Sequence, residues 1–182
     1  MEIRQIVRFD MYEMEYKGGP AEADLPLIPF GEKYYEQYKK LINDCFYEMR
    51  KALNIQPFER YCDDLDELMK HKENIFLLPG DGEIICAVSC LKNEISHVAV
   101  NVKYQRQGYA RKLMKFALGY MQKRGDSPIK LTVTKWNKNA VALYESLGFE
   151  IVKEAVVEGV SARDDSGDWT YKFTGTSGLD LR

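Results

Sequence analysis

Residues 94–111 constrain the fold of this chain more than any other segment. The run 94–100 is typical of a strand, a short polar loop follows it, and a helix is expected to begin at Gly108. A helix N-terminus presents unpaired backbone amides and the positive end of the helix dipole, which together suit a pyrophosphate. Gly108 and Ala110 would keep bulky side chains away from those amides. The segment therefore predicts either a phosphate-binding turn or a plain structural one, but neither a P-loop nor a dinucleotide G-x-G-x-x-G motif.

The periodicity of the rest of the chain predicts a single α/β (α+β) domain over residues 1–182. Three strands in succession indicate an antiparallel meander, and the later elements alternate strand and helix. We therefore expect a mixed, mostly antiparallel central sheet of six to seven strands, flanked by about four helices. The predicted strands are 3–16 (as one or two short strands), 25–30, 74–78, 83–91, 94–100, 129–134, 149–157 and 168–173, and the predicted helices are 32–53, 58–71, 108–124 and 138–147.

Charge and composition narrow the class of protein. The net charge is -2, whereas nucleic-acid binding usually requires a basic excess. No apolar run approaches the roughly 20 residues of a membrane span, and the N-terminus lacks the plan of a signal peptide, so we expect a cytoplasmic protein with neither nucleic-acid nor membrane partners. We expect no metal site, and we interpret the four cysteines as free thiols, since neither histidine has a second ligand at zinc spacing. The sequence leaves open whether the chain forms a homodimer.

Two motifs resemble the signature of the GNAT (GCN-five-related N-acetyltransferase) superfamily. Residues 105–110, Gln-Arg-Gln-Gly-Tyr-Ala, are similar to its Gln/Arg-x-x-Gly-x-Gly/Ala segment, with Ala110 in place of the commoner second glycine. Residues 137–149 are similar to its Asn-x-x-Ala-x-x-Leu-Tyr-x-x-x-Gly-Phe segment. The resemblance covers residues 27–157 by architecture and 94–149 by motif, whereas residues 1–24 form an extra N-terminal segment that matches neither.

The resemblance implies an N-acetyltransferase that moves an acetyl group from acetyl-CoA to a primary amine in a ternary complex. Residues 94–149 would form the acetyl-CoA-binding core, with strand backbone on the pantetheine arm and loop amides on the pyrophosphate. The expected cofactor contacts are Val98, Val100, Arg106, Gln107, Gly108, Tyr109, Ala110, Arg111, Asn137 and Tyr144. Two of these have structural alternatives that stay open: the valines are also good core residues, and Asn137 could merely cap the following helix, with Asn139 as its rival for the cofactor.

Two residues are the candidate catalysts. The resemblance places Tyr144 near the sulfur as general acid, although an ordinary core tyrosine would look the same in the sequence. Glu94 is the candidate base, with a water chain as the alternative: the resemblance implies a Glu or His base at the matching place, and alternation along a strand puts Glu94 on one face with Ser96, Val98 and Val100. An exposed hairpin residue is the alternative interpretation of Glu94. The same alternation puts His97 on the opposite face, which favours a structural role for it.

The acceptor amine is not encoded in any motif, so it could belong to a small molecule, a peptide or a protein. The resemblance implies an acceptor pocket formed by residues 32–71 and 158–170. An acidic run from Asp63 to Glu67 could attract a cationic amine or could be a solvated helix face. An alternative function remains open, namely an acyl-CoA-binding sensor or a partner-dependent subunit without turnover of its own.

Overall fold

The computed structural model describes residues 3–59 and 62–177 as eight strands and four helices, with short 3-10 turns between some of them. The helices are α1 (Tyr35–Ala52), α2 (Leu65–Lys70), α3 (Tyr109–Arg124) and α4 (Lys138–Leu147). The strands are β1 (Ile3–Tyr16), β2 (Ile28–Pro29), β3 (Ile75–Pro79), β4 (Ile84–Leu91), β5 (Glu94–Val100), β6 (Lys130–Thr134), β7 (Phe149–Arg163) and β8 (Trp169–Ser177). None of the helices within the described ranges is long and apolar enough to span a membrane.

All eight strands belong to one sheet in the order β2-β3-β4-β5-β6-β1-β7-β8. Neighbouring strands are antiparallel except β5 and β6, which run parallel. The predicted mixed, mostly antiparallel sheet with about four helices is therefore confirmed. The sheet has eight strands rather than six to seven, since the first segment and the C-terminal hairpin contribute more than expected.

The first strand differs from the prediction of one or two short strands at the N-terminus. β1 is continuous and lies between β6 and β7, hydrogen-bonded to both. Its alternation looks poor in the sequence because its buried side changes along its length. Val7 is buried on one face of the sheet, whereas Met14 is fully buried on the other, beside Leu131. The N-terminal segment is thus an integral part of the sheet.

Helices cover both faces of the sheet. On one face, α3 and α4 pack over a core that includes Leu113, Met114 and Leu118; we call this the α3 face. On the other face, α1 and α2 pack over a core that includes Tyr38 and Ile42; we call this the α1 face. All four cysteines are free, as predicted, and burial raises the pKa of each thiol to about 12.

The second helix is shorter than the predicted 58–71. α2 begins at Leu65, because the Asp64 side chain caps it by accepting a hydrogen bond from the Glu67 amide at 2.9 Å. The preceding segment instead runs under the sheet, where the Ser161 hydroxyl bonds both the amide and the carbonyl of Gln56. Residues 60–61 of the predicted helix lie outside the described residues, and residues 58–59 and 62–64 are not helical.

Candidate active site

β5 and β6 form a fork that opens towards their C-terminal ends. The two strands pair only at Glu94 and Lys130, and beyond this point they separate. β5 stays bonded to β4, since the Asn101 amide donates to the Ile85 carbonyl at 2.8 Å. Backbone groups of successive residues point to alternate edges of an antiparallel strand, so the amide of Val100 is directed into the gap. The fork therefore offers strand backbone to a ligand, as the predicted role of β5 requires.

A β-bulge interrupts β5 in the middle of the fork. Ser96 pairs with Ser89 and Ala99 pairs with Ala87, so β5 carries one more residue than β4 between these pairs. His97 is in the left-handed region with φ of 49°. The bulge makes the expected alternation wrong, because it reverses which face the following residues take.

The side chains of β5 are consequently divided between the two faces. Val98 and Val100 pack against the core of the α3 face. Glu94 pairs with Leu91, and His97 contacts the ring of Phe46 in α1, which places both on the α1 face. The predictions that Glu94 shares a face with the two valines, and that His97 points away from Glu94, are both wrong.

The loop after β5 leads into an uncapped helix N-terminus. Gly108 has φ of 87° and Arg106 has φ of 63°, two left-handed positions that curl the loop around the start of α3. No side chain caps α3, and its first turn contains no acidic residue. Its first backbone bond runs from the Lys112 amide to the Gly108 carbonyl at 3.2 Å. The amides before Lys112 are thus available to an anion.

The other predicted loop residues surround this helix start. Arg106 and Gln107 are exposed, whereas Tyr109 packs partly against the core of the α3 face. Arg111 donates to the Ser146 hydroxyl at 2.8 Å, which ties the start of α3 to α4. Ala110 is half-buried behind the loop. The predicted phosphate-contact residues therefore lie together, although Arg111 already has a protein partner.

Asn137 and Tyr144 lie on α4, on the same face as the fork valines. The Asn137 side chain caps α4 by accepting from the Ala140 amide at 3.1 Å, which is the structural alternative foreseen for it. Tyr144 is only 8% exposed and packs beside Phe149. Burial raises the pKa of the Tyr144 hydroxyl to about 12, and no described residue hydrogen-bonds it. This phenol is therefore neutral at pH 7 and has a proton to donate.

Glu94 occupies the closed end of the fork. Its carboxylate accepts a hydrogen bond from the Thr132 hydroxyl at 3.3 Å, and Thr132 pairs with Glu13 of β1. Burial raises the pKa of Glu94, and the nearby charge of Glu13 adds to the rise, against the opposing effects of Thr132 and Lys130. A carboxylate with a raised pKa is better matched to proton transfer near neutrality.

One polar residue near the fork was missed by the sequence analysis, and another was placed on the wrong face. The Thr134 hydroxyl, at the end of β6, is buried and has no hydrogen-bond partner among the described residues. It could not be found from the sequence, because an unpaired hydroxyl depends on packing. The residue placed on the wrong face is His97; burial lowers its pKa, so its imidazole is neutral at pH 7. Within the described ranges, no group of three or more His, Cys, Asp or Glu side chains is arranged to hold a metal ion.

Comparison with protein families gives one match over the central part of the chain. The model of the acetyltransferase (GNAT) family matches residues 35–149. Two solved structures share the fold, each at low sequence identity. A GNAT-family acetyltransferase from Colwellia psychrerythraea has a TM-score of 0.61 at 12% identity, covering 86% of this chain and 56% of that one. A GCN5-related N-acetyltransferase from Sphaerobacter thermophilus has a TM-score of 0.53 at 19% identity, covering 88% and 52%.

Curated relatives match over shorter segments. The [ribosomal protein bS18]-alanine N-acetyltransferase of Escherichia coli K12 is 45% identical over 53 residues, which is 29% of this chain and 36% of that protein. The rat N-acetyltransferase family 8 member 3 is 29% identical over 86 residues, 47% of this chain and 38% of that protein. This chain thus spans little more than a third of the length of either relative.

Proposed function

Because the chain belongs to the GNAT acetyltransferase family, we propose that it transfers an acetyl group from acetyl-CoA directly to a primary amine. The observation that carries this proposal is the fork between β5 and β6, which opens beside the uncapped start of α3. The Val100 amide is directed into the fork, although the Val100 carbonyl already accepts hydrogen bonds from Gln105 and Cys45. A strand amide of this kind and a helix start with free amides suit a pantetheine arm and a pyrophosphate.

The residues of the fork fit acyl-CoA chemically. The Val100 amide is directed into the gap, where it could bind a carbonyl oxygen and stabilise the charge that develops on it. The Gly108 loop would hold phosphates, and no acidic side chain in the first turn of α3 opposes them. Acetyl-CoA, when bound, supplies an activated thioester to this site.

In the proposed transfer, Tyr144 would donate one proton and Glu94 would accept another. The amine nitrogen bonds to the acetyl carbon, the carbon–sulfur bond breaks, and the sulfur takes a proton that the Tyr144 hydroxyl donates. The proton lost by the amine passes to Glu94. Since four residues of strand separate Glu94 from Val98, about 13 Å, this proton would travel through water molecules rather than directly.

The acceptor is the open part of this proposal. One relative is named for acetylating the alanine of a ribosomal protein, so a peptide beginning with alanine is the first acceptor to test. Small aliphatic amines form the second class. A buried neutral phenol at Tyr144 favours turnover over simple sensing, because a binding protein has no use for a proton donor.

The test is release of coenzyme A from acetyl-CoA in the presence of each amine. We expect at least one amine to give amine-dependent release together with the acetylated product. Acetyl-CoA that raises the melting temperature while no amine is acetylated would support the sensor alternative. Failure of acetyl-CoA to change the melting temperature would remove the proposed function altogether.

A further inference from the structure

A cavity of about 250 Å³ lies between α2 and the α1 face of the sheet. Asp63, Glu67 and His71 line it at α2 and the segments that flank this helix, and Ser89, Leu91 and His97 line it on the sheet side. We call this space the acidic cavity. Its volume is below the 300–1,000 Å³ that is typical of sites for whole small-molecule ligands. The acidic cavity therefore suits one side chain or one end of a molecule.

The acidic cavity adjoins the candidate base. Leu91 and Ser89 are the direct cross-strand partners of Glu94 and Ser96. Neighbouring strands are about 4.8 Å apart, so the cavity begins one strand away from Glu94 and on the same face. His97 connects the two places, because it lines the cavity and also sits in the bulge beside the fork. A molecule whose amine reaches the fork from the α1 face would have its other end at the cavity.

The lining of the cavity favours a positive charge. Asp63 and Glu67 are both exposed; Asp63 has no ion-pair partner among the described residues, whereas Glu67 is paired with Lys70. Burial lowers the pKa of His97 despite the charge of Asp63, so a neutral imidazole faces the cavity at pH 7 and does not repel a cation.

The sheet side of the cavity carries a second polar group, the hydroxyl of Ser89. Ser89 is only 2% exposed, and none of the described residues hydrogen-bonds its hydroxyl. A buried hydroxyl without a protein partner normally bonds water or a ligand. A donor group that enters between the carboxylates could therefore bond the Ser89 oxygen as well.

We propose that the acidic cavity binds a second cationic group of the acceptor, beside the amine that becomes acetylated. This inference rests on the proposed function and specifies its substrate class. One to two strand spacings, about 5–10 Å, separate the cavity from the fork. An aliphatic diamine spans this distance, and so does an N-terminal residue followed by a basic one.

Two matched pairs of acceptors distinguish a diamine from a peptide as the source of the second positive charge. Butane-1,4-diamine is compared with butylamine, and alanyl-lysine amide is compared with alanyl-glutamine amide. We expect the cationic member of at least one pair to have a KM about tenfold lower at similar kcat, since a charge-assisted contact made equally in ground and transition states acts on KM. The pair that shows the difference identifies the source.

Asp63→Asn tests the cavity, and Asp66→Asn is the matched control. Asp66 lies in the first turn of α2, three residues after Asp63, and is exposed as Asp63 is, but it does not line the cavity. Asp63→Asn should raise KM for the cationic acceptors only, whereas the control should leave both members of each pair unchanged. Equal KM values within both pairs, or equal effects of Asp63→Asn on cationic and neutral acceptors, would overturn the proposal.

A binding measurement makes the test independent of turnover. With saturating coenzyme A, which cannot acetylate, a cationic acceptor should raise the melting temperature more than its neutral partner, and Asp63→Asn should remove the difference. Equal shifts would overturn the acidic cavity while leaving the proposed function intact. Absence of any shift with coenzyme A or acetyl-CoA would instead overturn the proposed function and the cavity with it.

Discussion

Glu94 and Val98 lie on opposite faces of β5, although residues four apart on a regular strand share a face. The bulge at His97 separates them. The face of the fork that carries the valines also carries Tyr144, whereas the face that carries Glu94 opens towards α1 and α2. In the proposed reaction, an acyl donor and an amine would approach the fork from opposite sides of the sheet, with Glu94 on the side of the amine.

The start of α3 should be the main source of affinity for acetyl-CoA. At a hundredfold excess over Kd, acetyl-CoA should stabilise the folded protein by about 2.7 kcal/mol. Gly108→Glu should abolish this stabilisation, because it adds a negative charge beside the helix amides. The measurement is the melting temperature with and without acetyl-CoA.

Gly108→Ala is the control for backbone strain. Gly108 has φ of 87°, so any side chain there is strained even though a Cβ would meet no atom within 4 Å. Alanine should lower the melting temperature of the free protein as glutamate does, yet it should keep most of the acetyl-CoA shift. A full shift in the glutamate variant would show that phosphates bind elsewhere.

Tyr144→Phe should lower turnover with little change in acetyl-CoA affinity. The ring and its packing beside Phe149 stay, and only the hydroxyl leaves. Loss of a general acid typically costs roughly 100- to 10,000-fold in rate. The measurements are kcat with an accepted amine and Kd for acetyl-CoA. A variant as fast as the parent would return Tyr144 to the role of a core residue.

β1 should matter for stability as much as any central strand. Met14→Ala removes a fully buried side chain and should lower the free energy of unfolding by about 2–5 kcal/mol. Ile6→Ala on the same strand is the control, since Ile6 is 82% exposed and its loss should cost less than about 0.5 kcal/mol. Denaturant unfolding of the three proteins checks both values, and equal midpoints would contradict the central position of β1.

The sequence predicted the elements whose signals are local. Gly125 and Gly148 end α3 and α4 in the left-handed conformation that glycine favours, and both helices were predicted within a residue of their observed bounds. The place of β1 could not be predicted, because its partners in β6 and β7 lie more than 100 residues away in the chain.

The residues of the candidate site could be proposed from the sequence, but the faces of the sheet on which their side chains lie could not. The loop around Gly108 and the α4 tyrosine lie near the fork because motif and helix period fix them. The face of Glu94 relative to the valines was predicted wrongly, since the bulge adds one residue to β5 and no local pattern in residues 94–100 indicates it. The unpaired Thr134 hydroxyl depends on packing and leaves no signal in the sequence. The acidic run from Asp63 to Glu67 is visible in the sequence, but its position opposite Ser89 and His97 depends on packing between distant elements.

Glu94→Gln should reveal the base in a pH–rate profile. The ionised carboxylate is the form that accepts a proton, and its raised pKa means that this form is lost at a higher pH than for an ordinary glutamate. Glutamine has about the size of glutamate but cannot accept the proton. Above the folded pKa of Glu94, turnover of the variant relative to the parent should therefore be most depressed towards the acid side, where the amine is most protonated, and should recover partly as pH rises. Below that pKa the two profiles should converge, because the parent carboxylate is protonated as well. Parallel profiles of equal height would exclude Glu94 as base.

The same substitution should stabilise the fold at neutral pH. A carboxyl whose pKa is raised in the folded state contributes stability below its unfolded pKa, and that contribution is lost as pH rises through the folded value. At pH 7 the parent therefore carries a buried charge that Glu94→Gln removes, so the variant should melt at a higher temperature. The difference in melting temperature should shrink as pH falls towards 4.5, the ordinary pKa of a glutamate side chain.

Glu83→Gln is the control of opposite sign. Lys103 lowers the pKa of Glu83, so the ionised form of Glu83 adds stability above its unfolded pKa and loses it as pH falls. Glu83→Gln should therefore melt below the parent at pH 7 and approach it in acid. Because Glu83 accepts hydrogen bonds from Lys103 and Tyr104 in the loop after β5, its melting temperature, and not its turnover, is the control. Melting temperatures of the parent, Glu94→Gln and Glu83→Gln at pH 4 and pH 7 test both signs. A Glu94→Gln protein that is less stable than the parent at pH 7 would mean that the ionised Glu94 stabilises the fork. It would contradict the expectation that the buried charge of Glu94 destabilises the fold.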